Sequence, residues 1–316
     1  MTAPDKSPTH ATARAPASIG NIGVGFDVLG HAFEALHDQV TAVRRGEAGV
    51  RLGRVGGCVS TLPNTIETNT AMAAAHAFLS ACDAPFGVEL HIEKGIPLSA
   101  GLGGSAASAV AAAAAVNALL PEPLERAALL PFALKGEAIT ANPPAWDNVM
   151  PSLLGGLVMA ASTDPALVRA LPTPRDVVAV VLHPDIPVET QAARALLADQ
   201  VALSTAVEHA RRISAFTLGC ASDDEALIRA GLDDILIEPQ RAHLVPGFAA
   251  VKAAALDHGA LGCSLSGSGP SIFAWVKADV ADAVAEAMQA AFTRAGIDAR
   301  LYRAPITGSG VQVKTG

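Results

Sequence analysis

The chain has 316 residues, of which 51% are hydrophobic but only 4% aromatic, so its core is expected to consist mainly of Ala, Val and Leu. This length exceeds what one compact core usually holds, and two domains are expected. The formal net charge of −8 argues against a nucleic-acid binder, which needs a basic face, but not against a nucleotide substrate, whose phosphates Mg²⁺ and local N–H donors can neutralise.

Targeting and metal signals are absent from the sequence. The longest apolar stretch, residues 106–120, is shorter than the roughly 20 residues that cross a bilayer. The first 13 residues are polar, lack a leader pattern and are expected to be frayed. We therefore expect a cytoplasmic protein with no membrane partner. The histidines show no zinc-binding spacing, and the cysteines form no C-x-x-C pair and are expected to be reduced; they are Cys58, Cys82, Cys220 and Cys263.

The first half of the chain alternates between strand and helix patterns. The run at residues 40–44 is typical of a half-buried strand, and Gly87–Lys94 alternates apolar with polar residues as an amphipathic strand does. We also predict a strand and a glycine turn within residues 14–55. Helices are predicted at 69–81, 105–119 and 125–140, and a further strand at 153–161.

Composition changes at residues 162–175, which are rich in proline and predicted to connect two domains. We place the first domain at residues 1–165 and the second at 166–316. The second is predicted to contain strands at 177–183, 263–265, 272–276 and 299–304, and helices at 196–220, 224–236, 245–257 and 278–295. Strands mixed with helices, without a steady βαβ rhythm, predict an α+β fold.

The most informative segment is a glycine-rich loop that runs into an alanine-rich helix, GIPLSAGLGGSAASAVAAAAAV from Gly95. Its glycines can adopt positive φ at little cost, which lets backbone N–H groups surround an anion. The N-terminus of the next helix adds unpaired N–H groups and partial positive charge, and phosphate fits such a site best. The loop lacks the Walker ending and the dinucleotide spacing, so from the residues alone a flexible turn before a packed helix stays possible.

PLSAGLGGSAAS resembles the phosphate loop of the GHMP kinases, Pro-x-x-x-Gly-Leu-Gly-Ser-Ser-Ala-Ala, with Gly104 in place of the first paired serine. Two other segments resemble the same family in the right order: APASIGNIGVGFDVLG from Ala15, in its homoserine kinase form, and LSGSGPS from Leu265. VETQAARALL from Val188 and LIEPQRAHLVPGF from Leu236 extend the similarity. Together these segments span nearly the whole chain, which therefore resembles the homoserine kinases of the GHMP superfamily.

This resemblance implies a two-domain α+β GHMP kinase fold, with an N-terminal domain like domain 2 of ribosomal protein S5 and a ferredoxin-like C-terminal domain. It implies ATP- and Mg²⁺-dependent phosphorylation of L-homoserine to O-phospho-L-homoserine in threonine biosynthesis, by a homodimer. Two alternatives stay open. One is a GHMP kinase for another small alcohol, and the other is a nucleotide-binding regulator of this fold without turnover.

The resemblance also implies roles for individual residues. Ser105 and Glu137 are expected to be catalytic and to ligate Mg²⁺, which prefers hard oxygen ligands, although a single helical Glu more often lies on a solvated face. The nucleotide-binding residues are expected to be Asn69, Pro97, Leu98, Ser99, Ala100, Gly101, Leu102, Gly103, Gly104, Ser105, Ala106, Gly267 and Ser268. For Asn69, an N-cap is the more usual role.

The substrate-binding residues implied by the resemblance are Asn21, Asp27, Asn148, Arg194 and Arg241. A guanidinium group suits a substrate carboxylate because it donates two parallel hydrogen bonds. Asn and Asp in glycine-rich turns are also common turn formers, and arginines are often solvated at the surface. Asp27 is expected to bind the substrate rather than to take its proton, and no general base is expected.

One segment departs from the pattern of the homoserine kinases, which generally read His-x-Asp-Asn. Here NPPAWDN places Ala145 in the histidine position, and two prolines stiffen the chain. A missing donor in a polar pocket costs about 1–3 kcal/mol, which is why another alcohol substrate stays open. Trp146 is expected to be a core or interface aromatic, and Asp147 has no predicted role.

Overall fold

A computed structural model describes residues 8–316 as a mixture of sheets and helices, so the predicted α+β class is correct. The strands of this part are β1 (His10–Gly20), β2 (Leu29–Arg45), β3 (Val50–Gly57), β4 (Gly87–Lys94), β5 (Leu157–Thr163), β6 (Ala166–Leu171), β7 (Val177–Pro184), β8 (Gly262–Leu265), β9 (Ile272–Lys277), β10 (Ala299–Pro305) and β11 (Gln312–Thr315).

The helices of the same part are α1 (Thr70–Ala81), α2 (Gly104–Asn117), α3 (Leu130–Glu137), α4 (Trp146–Leu154), α5 (Thr190–Ala195), α6 (Leu203–Ser222), α7 (Glu225–Gly231), α8 (Glu238–Arg241), α9 (Phe248–Asp257) and α10 (Ala281–Arg294). Short 3₁₀ turns occupy Arg126–Leu129, Ala242–Leu244 and Ala278–Val280.

The strands form two sheets. The first has the order β11-β1-β2-β4-β3, and the hairpin of β5 and β6 joins it at β2. Its pairs are antiparallel except β3 with β4. The second sheet has the order β10-β7-β9-β8 and is antiparallel throughout. Helices α9 and α10 pack beside this sheet, where Val251 and Val284 share a buried cluster with Ile272 of β9.

Helix α2 lies in the middle of the first core. Every residue from Ala106 to Asn117 is buried, because β1, β2, α1, α3 and α4 all contact this helix. Alanine allows such close approach on all sides, since its side chain adds little width to the helix. The alanine-rich sequence therefore reflects tight packing. No helix within residues 8–316 is long and apolar enough to cross a membrane.

Several sequence predictions agree with the structure, and others are wrong for identifiable reasons. Strand β4 has the predicted bounds. The helix predicted at 125–140 is divided into a 3₁₀ turn and α3, with Pro131 in the first turn of α3. The long helix predicted from residue 196 begins only at Leu203, after the separate helix α5.

The predicted connection at residues 162–175 contains β6, which pairs with β5 in the first sheet. The predicted fraying of residues 1–13 is wrong from His10 onward, because β1 lies between β2 and β11; residues 1–7 are outside the described part of the chain. Since β11 also belongs to the first sheet, the end of the chain returns to the N-terminal half. The division at residue 165 remains our proposal for the domain boundary.

One buried polar contact joins the two sheets. His31 of β2 accepts a hydrogen bond at Nε2 from the indole Nε1 of Trp275 in β9, at 3.2 Å, while its Nδ1 lies 2.9 Å from the carbonyl oxygen of Ala32. A neutral imidazole protonated on Nδ1 satisfies both contacts. Complete burial lowers the pKa of His31 to about 4. The indole ring also packs against Phe216 of α6.

The burial of His31 predicts acid-sensitive stability. Because the folded pKa of His31 lies below its ordinary value of about 6.5, the unfolded chain binds the proton more readily. The stabilisation is therefore fully present above pH 6.5 and is lost as the pH falls toward 4. The expected loss from this residue is about 2 kcal/mol between pH 7.5 and pH 5, measured by urea unfolding.

Two variants identify the residue responsible for this loss. His31→Gln is uncharged at both pH values and should show a smaller difference in the free energy of unfolding than the wild type. Trp275→Phe removes the indole donor but leaves the imidazole buried, so its pH dependence should persist. An unchanged pH dependence in His31→Gln would assign the effect to other groups.

Candidate active site

The phosphate loop connects β4 to α2 and has the backbone geometry of an anion-binding nest. Ser99, Gly101 and Gly103 have φ values of 53°, 71° and 65°. Gly103 is the N-cap of α2 and provides no side chain to the free N–H groups of the first turn. A Cβ atom at Gly103 would overlap Ser18 Oγ, so this position requires glycine for space as well as for φ.

A second glycine turn, residues 266–271, packs against this loop. Ser266 Oγ donates a hydrogen bond to the Gly101 carbonyl at 2.7 Å, and Asn21 Nδ2 donates to the Gly267 carbonyl at 3.0 Å. The Gly267 N–H in turn donates to the Gly20 carbonyl at 3.3 Å. The three glycine-rich motifs of the sequence, although far apart along the chain, therefore meet at one place.

These turns border a cavity of about 370 Å³. Its wall includes most of the predicted nucleotide-binding residues: Asn69, Pro97, Leu98, Ser99, Ala100, Gly101, Gly103, Gly104, Ser105, Gly267 and Ser268. Glu137 and Asn148 line it as well. Leu102 and Ala106 are instead buried in the core, where the Leu102 carbonyl accepts a hydrogen bond from the Ser18 N–H. Lining residues that the sequence did not indicate are Leu62, Pro63, Thr68, Thr70, Lys94, Ser108, Thr140, Ala145 and Thr190.

Ser105 and Glu137 meet at the base of the cavity. Ser105 Oγ donates to Glu137 Oε1 at 3.0 Å, and Glu137 is only 4% exposed, unlike a glutamate on a solvated face. Its Oε2 is buried with no hydrogen-bond partner among residues 8–316. Burial raises the pKa of Glu137 to about 7. A buried carboxylate oxygen without a partner is costly, and a cation would satisfy it.

This donor set fits magnesium better than zinc. One carboxylate and one hydroxyl are hard oxygen donors, and Mg²⁺ is typically held by one or two carboxylates together with phosphate oxygens and water. Within the described residues, no three His, Cys, Asp or Glu side chains are grouped as a metal-binding cluster. A cation here would therefore depend on the bound phosphates for further ligands.

Asn69 is the N-cap of α1. Its Oδ1 accepts hydrogen bonds from the N–H groups of Ala71 and Met72, and its Nδ2 donates to the Pro63 carbonyl at 2.7 Å. Its polar atoms thus hold the segment of Leu62 and Pro63 against the helix, and both of these residues line the cavity. Its predicted nucleotide contact stays a prediction.

The predicted substrate residues gather charges of both signs around Phe26. Arg194 Nη2 lies 2.7 and 2.9 Å from the two carboxylate oxygens of Asp27. Arg241 is 3% exposed and donates from Nε to the Ala193 carbonyl, and both guanidinium groups lie just over 5 Å from the Phe26 ring centre. Burial, reinforced by the charge of Arg194, lowers the pKa of Arg241.

Asp147 belongs to the same group of charges. It is 2% exposed in the first turn of α4, and burial, reinforced by the charge of Asp27, raises its pKa to about 7. Asn148 Nδ2 lies 3.3 Å from Asp147 Oδ1, while Asn148 Oδ1 accepts from Ser18 Oγ. The only signal in the sequence was an acidic residue next to Asn148, which gave no reason to expect burial.

A second cavity, of about 230 Å³, adjoins the first and includes Arg194 in its wall. Thr140 and Thr190 line both cavities. Thr190 Oγ1 also lies 3.4 Å from Ser268 Oγ, which connects helix α5 to the second glycine turn. Arg194, with its partner Asp27, is therefore next to the cavity of the phosphate loop. Ala145 lies on the wall of that cavity, and Trp146 is half-buried against the core.

Comparisons with known proteins agree with this geometry. The family model of the GHMP kinases N terminal domain matches residues 69–156, and the family model GHMP kinases C terminal matches residues 217–294. A homoserine kinase from Xylella fastidiosa is 44% identical over 96% of this chain and 94% of its own. The chain belongs to the homoserine kinase family.

Other members of the family and of the superfamily support the fold. A homoserine kinase from Chlorobium phaeobacteroides is 37% identical over 96% of this chain and 98% of its own. The crystal structure of homoserine kinase from Cytophaga hutchinsonii matches with a TM-score of 0.93 at 39% identity, over 97% of this chain and 98% of that one. Mevalonate kinase from L. major shares the fold, with a TM-score of 0.70 at 16% identity. The match covers 98% of this chain and 100% of that chain. The predicted two-domain GHMP kinase fold is thereby confirmed.

Proposed function

We propose that this protein transfers the γ-phosphate of ATP to the hydroxyl group of L-homoserine, giving O-phospho-L-homoserine for threonine biosynthesis. The observation that carries the proposal is the group of Asp27, Asp147, Arg194 and Arg241, of which Arg194 lines the cavity that adjoins the phosphate-loop cavity. An amino acid has one ammonium and one carboxylate group, and this cluster offers partners for both. A neutral sugar carries no charge with which two buried or half-buried arginines could pair.

The phosphate loop is placed to bind the nucleotide. Free N–H groups at the start of α2 face the cavity, and the helix dipole favours negative charge there. Leu62, Pro63 and Leu98 give the wall an apolar portion suited to a nucleotide base. Phosphoryl transfer depends mainly on positioning and on stabilising the developing charge, which a rigid nest of N–H donors can supply.

Ser105 and Glu137 fit the magnesium ion that we propose for this site, since one buried carboxylate oxygen of Glu137 has no partner in the described part of the chain and the adjacent hydroxyl is also a hard donor. When bound, the ion would neutralise charge on the phosphate oxygens. Ser105 belongs to the first turn of α2, so the same helix start presents both the hydroxyl and the N–H donors. Their presence argues against a regulator without turnover.

The homoserine site is assigned to Asn21, Asp27, Asn148, Arg194 and Arg241, with Asp147 added from the structure. Asp27 already pairs with Arg194, an arrangement suited to binding charge rather than to removing a proton. Asn21 joins the first motif to the second glycine turn and so fixes the position of Asp27, whose N–H lies 3.3 Å from Asn21 Oδ1. The homodimer and the cytoplasmic location implied by the resemblance remain proposals.

A substrate panel tests the activity. In a coupled assay of ADP release, homoserine should be phosphorylated faster than mevalonate, galactose and shikimate by orders of magnitude, because only homoserine matches both charges of the cluster. An equal or higher rate with any of the other three would contradict the substrate assignment. Binding of Mg-ATP without a phosphorylated product from any alcohol would support the regulatory alternative.

Glu137→Gln tests the metal site. The change keeps the size of the side chain but removes its charge, so turnover should fall by at least about a hundredfold, through the loss of charge stabilisation. The melting temperature and nucleotide binding should change little. Glu286→Gln, the same substitution on the exposed face of α10, is the matched control. Unchanged turnover in Glu137→Gln would leave this residue with a structural role only.

The two arginines distinguish an amino-acid kinase from a sugar kinase. Arg241→Leu and Arg194→Leu should each raise the KM for homoserine by about tenfold to a hundredfold, because each removes a charge-assisted contact to the carboxylate. The KM for ATP should stay within a few-fold. If both arginines bind one carboxylate, the loss of binding free energy in the double variant should be smaller than the sum of the two single losses.

The control for these variants is Arg211→Leu, at an exposed arginine on α6 that pairs with Glu208. This substitution should leave both Michaelis constants unchanged. A loss of ATP affinity in Arg194→Leu or Arg241→Leu would instead assign the arginines to the nucleotide.

A further inference from the structure

A buried ion pair lies directly beneath the phosphate loop, and the site described above does not account for it. Lys94, the last residue of β4, is 3% exposed, and Asp38 of β2 is fully buried. Ser108 of α2 completes the group and is 4% exposed. We call Asp38, Lys94 and Ser108 the loop anchor.

All three donors of the lysine have acceptors within hydrogen-bond range. Lys94 Nζ donates to Asp38 Oδ2, to the Gly104 carbonyl at 2.8 Å and to Ser108 Oγ at 3.0 Å. An ammonium group has three N–H donors, so none remains for a phosphate oxygen in this arrangement. The pair with Asp38 also makes the group neutral overall, which reduces its attraction for a distant anion.

Asp38 connects the two ends of the loop. Its Oδ1 accepts hydrogen bonds from the N–H groups of Gly95 and Ile96, both at 3.1 Å, where the chain enters the loop. Its Oδ2 accepts from Lys94 and, at 2.7 Å, from Ser108 Oγ, where the chain has left the loop as helix α2. Both carboxylate oxygens are thus used, as a buried charge requires.

The anchor also touches the start of α2. The Gly104 carbonyl held by Lys94 belongs to the first residue of the helix, and the next residue is Ser105, which donates to Glu137. Removing a contact from the anchor would free the first turn, on which both the N–H donors and this hydroxyl depend. Preorganised donors stabilise developing charge because they need no rearrangement during the reaction.

We propose that Asp38, Lys94 and Ser108 are positioning residues that hold the two ends of the phosphate loop in register, and that Lys94 is not a phosphate ligand. The consequence for catalysis rests on the proposed kinase function, but the effect on the loop does not. Because Lys94 reaches the cavity wall, direct binding of phosphate by its ammonium group is the competing assignment. The two assignments predict different effects of replacing Asp38.

The first test measures hydrogen exchange of peptides covering residues 95–107 in the protein without nucleotide. Asp38→Asn and Lys94→Met should both speed exchange at these amides by at least about tenfold. A lysine that serves only as a phosphate ligand would leave this exchange unchanged in both variants. The result does not depend on which alcohol is the substrate, so it stands even if the homoserine assay fails.

The second test separates positioning from binding by kinetics. If the anchor acts as a unit, Asp38→Asn and Lys94→Met should lower kcat by similar factors of at least about tenfold. The double variant should then be no worse than the poorer single variant. If Lys94 binds phosphate, Lys94→Met should mainly raise the KM for ATP, while Asp38→Asn, which releases the lysine, should leave ATP binding unchanged or stronger. That pattern would overturn the proposal.

Loss of stability is controlled in two ways. Val284→Ala creates a void in the core of the second sheet, far from the loop in the chain, and should lower the melting temperature without changing exchange at residues 95–107. Ser108→Ala removes one hydroxyl and keeps the ion pair, so it should fold and show smaller effects in the same direction. If the charged variants fail to fold, unchanged exchange and kcat in Ser108→Ala would still refute the proposal.

Discussion

The site depends on the burial of helix α2. Residues 106–117 are enclosed by strands and helices, so the helix cannot shift without disturbing the core, and its N-terminus is held at one place. The free N–H groups of its first turn are therefore fixed donors rather than solvated ends. Alanine makes this possible because a helix of larger side chains could not be packed so closely by neighbours on every side.

The burial of charged groups around this helix follows from the same enclosure. Glu137 and Asp147 both have pKa values raised to about 7, because burial disfavours the charged form of each carboxyl group. Glu137 faces the phosphate loop, whereas Asp147 faces Asp27 and the arginines. Two carboxylates with the same perturbation therefore have different neighbours, Ser105 at the start of α2 for Glu137 and the charged residues Asp27 and Arg194 for Asp147.

Local patterns predicted the parts of the fold that local interactions determine. Strand β4 alternates, α2 follows a glycine loop, and Asn69 stands before α1 as an N-cap does. Strands β6 and β11 were missed for different reasons. Strand β6 is mostly exposed and pairs with β5 in a shifted register, whereas β11 is a short polar segment that pairs with the distant β1. Helix α4 was missed because it follows two prolines and contains Pro151, which usually argues against a helix.

The same distinction applies to the site residues. Motif similarity indicated Ser105, Glu137 and the two arginines. Ser105, Glu137 and Arg194 line adjoining cavities, and Arg241 lies near Arg194 at the Phe26 ring. It did not give Asp147 or Asp38, because the role of a carboxylate depends on burial and on partners far away in the chain. Asp38 lies 56 residues before Lys94, and no spacing rule connects them.

The effect of the departure at NPPAWDN can be judged by comparing the free energies of the contacts that are lost and retained. Ala145 lies on the cavity wall, so an imidazole donor is missing there, and a neutral hydrogen bond contributes about 0.5–1.5 kcal/mol. Each charge-assisted contact from an arginine or a carboxylate contributes about 1.5–3 kcal/mol, and the cluster offers several. By these magnitudes, the charged contacts that we propose for homoserine outweigh the one missing imidazole contact.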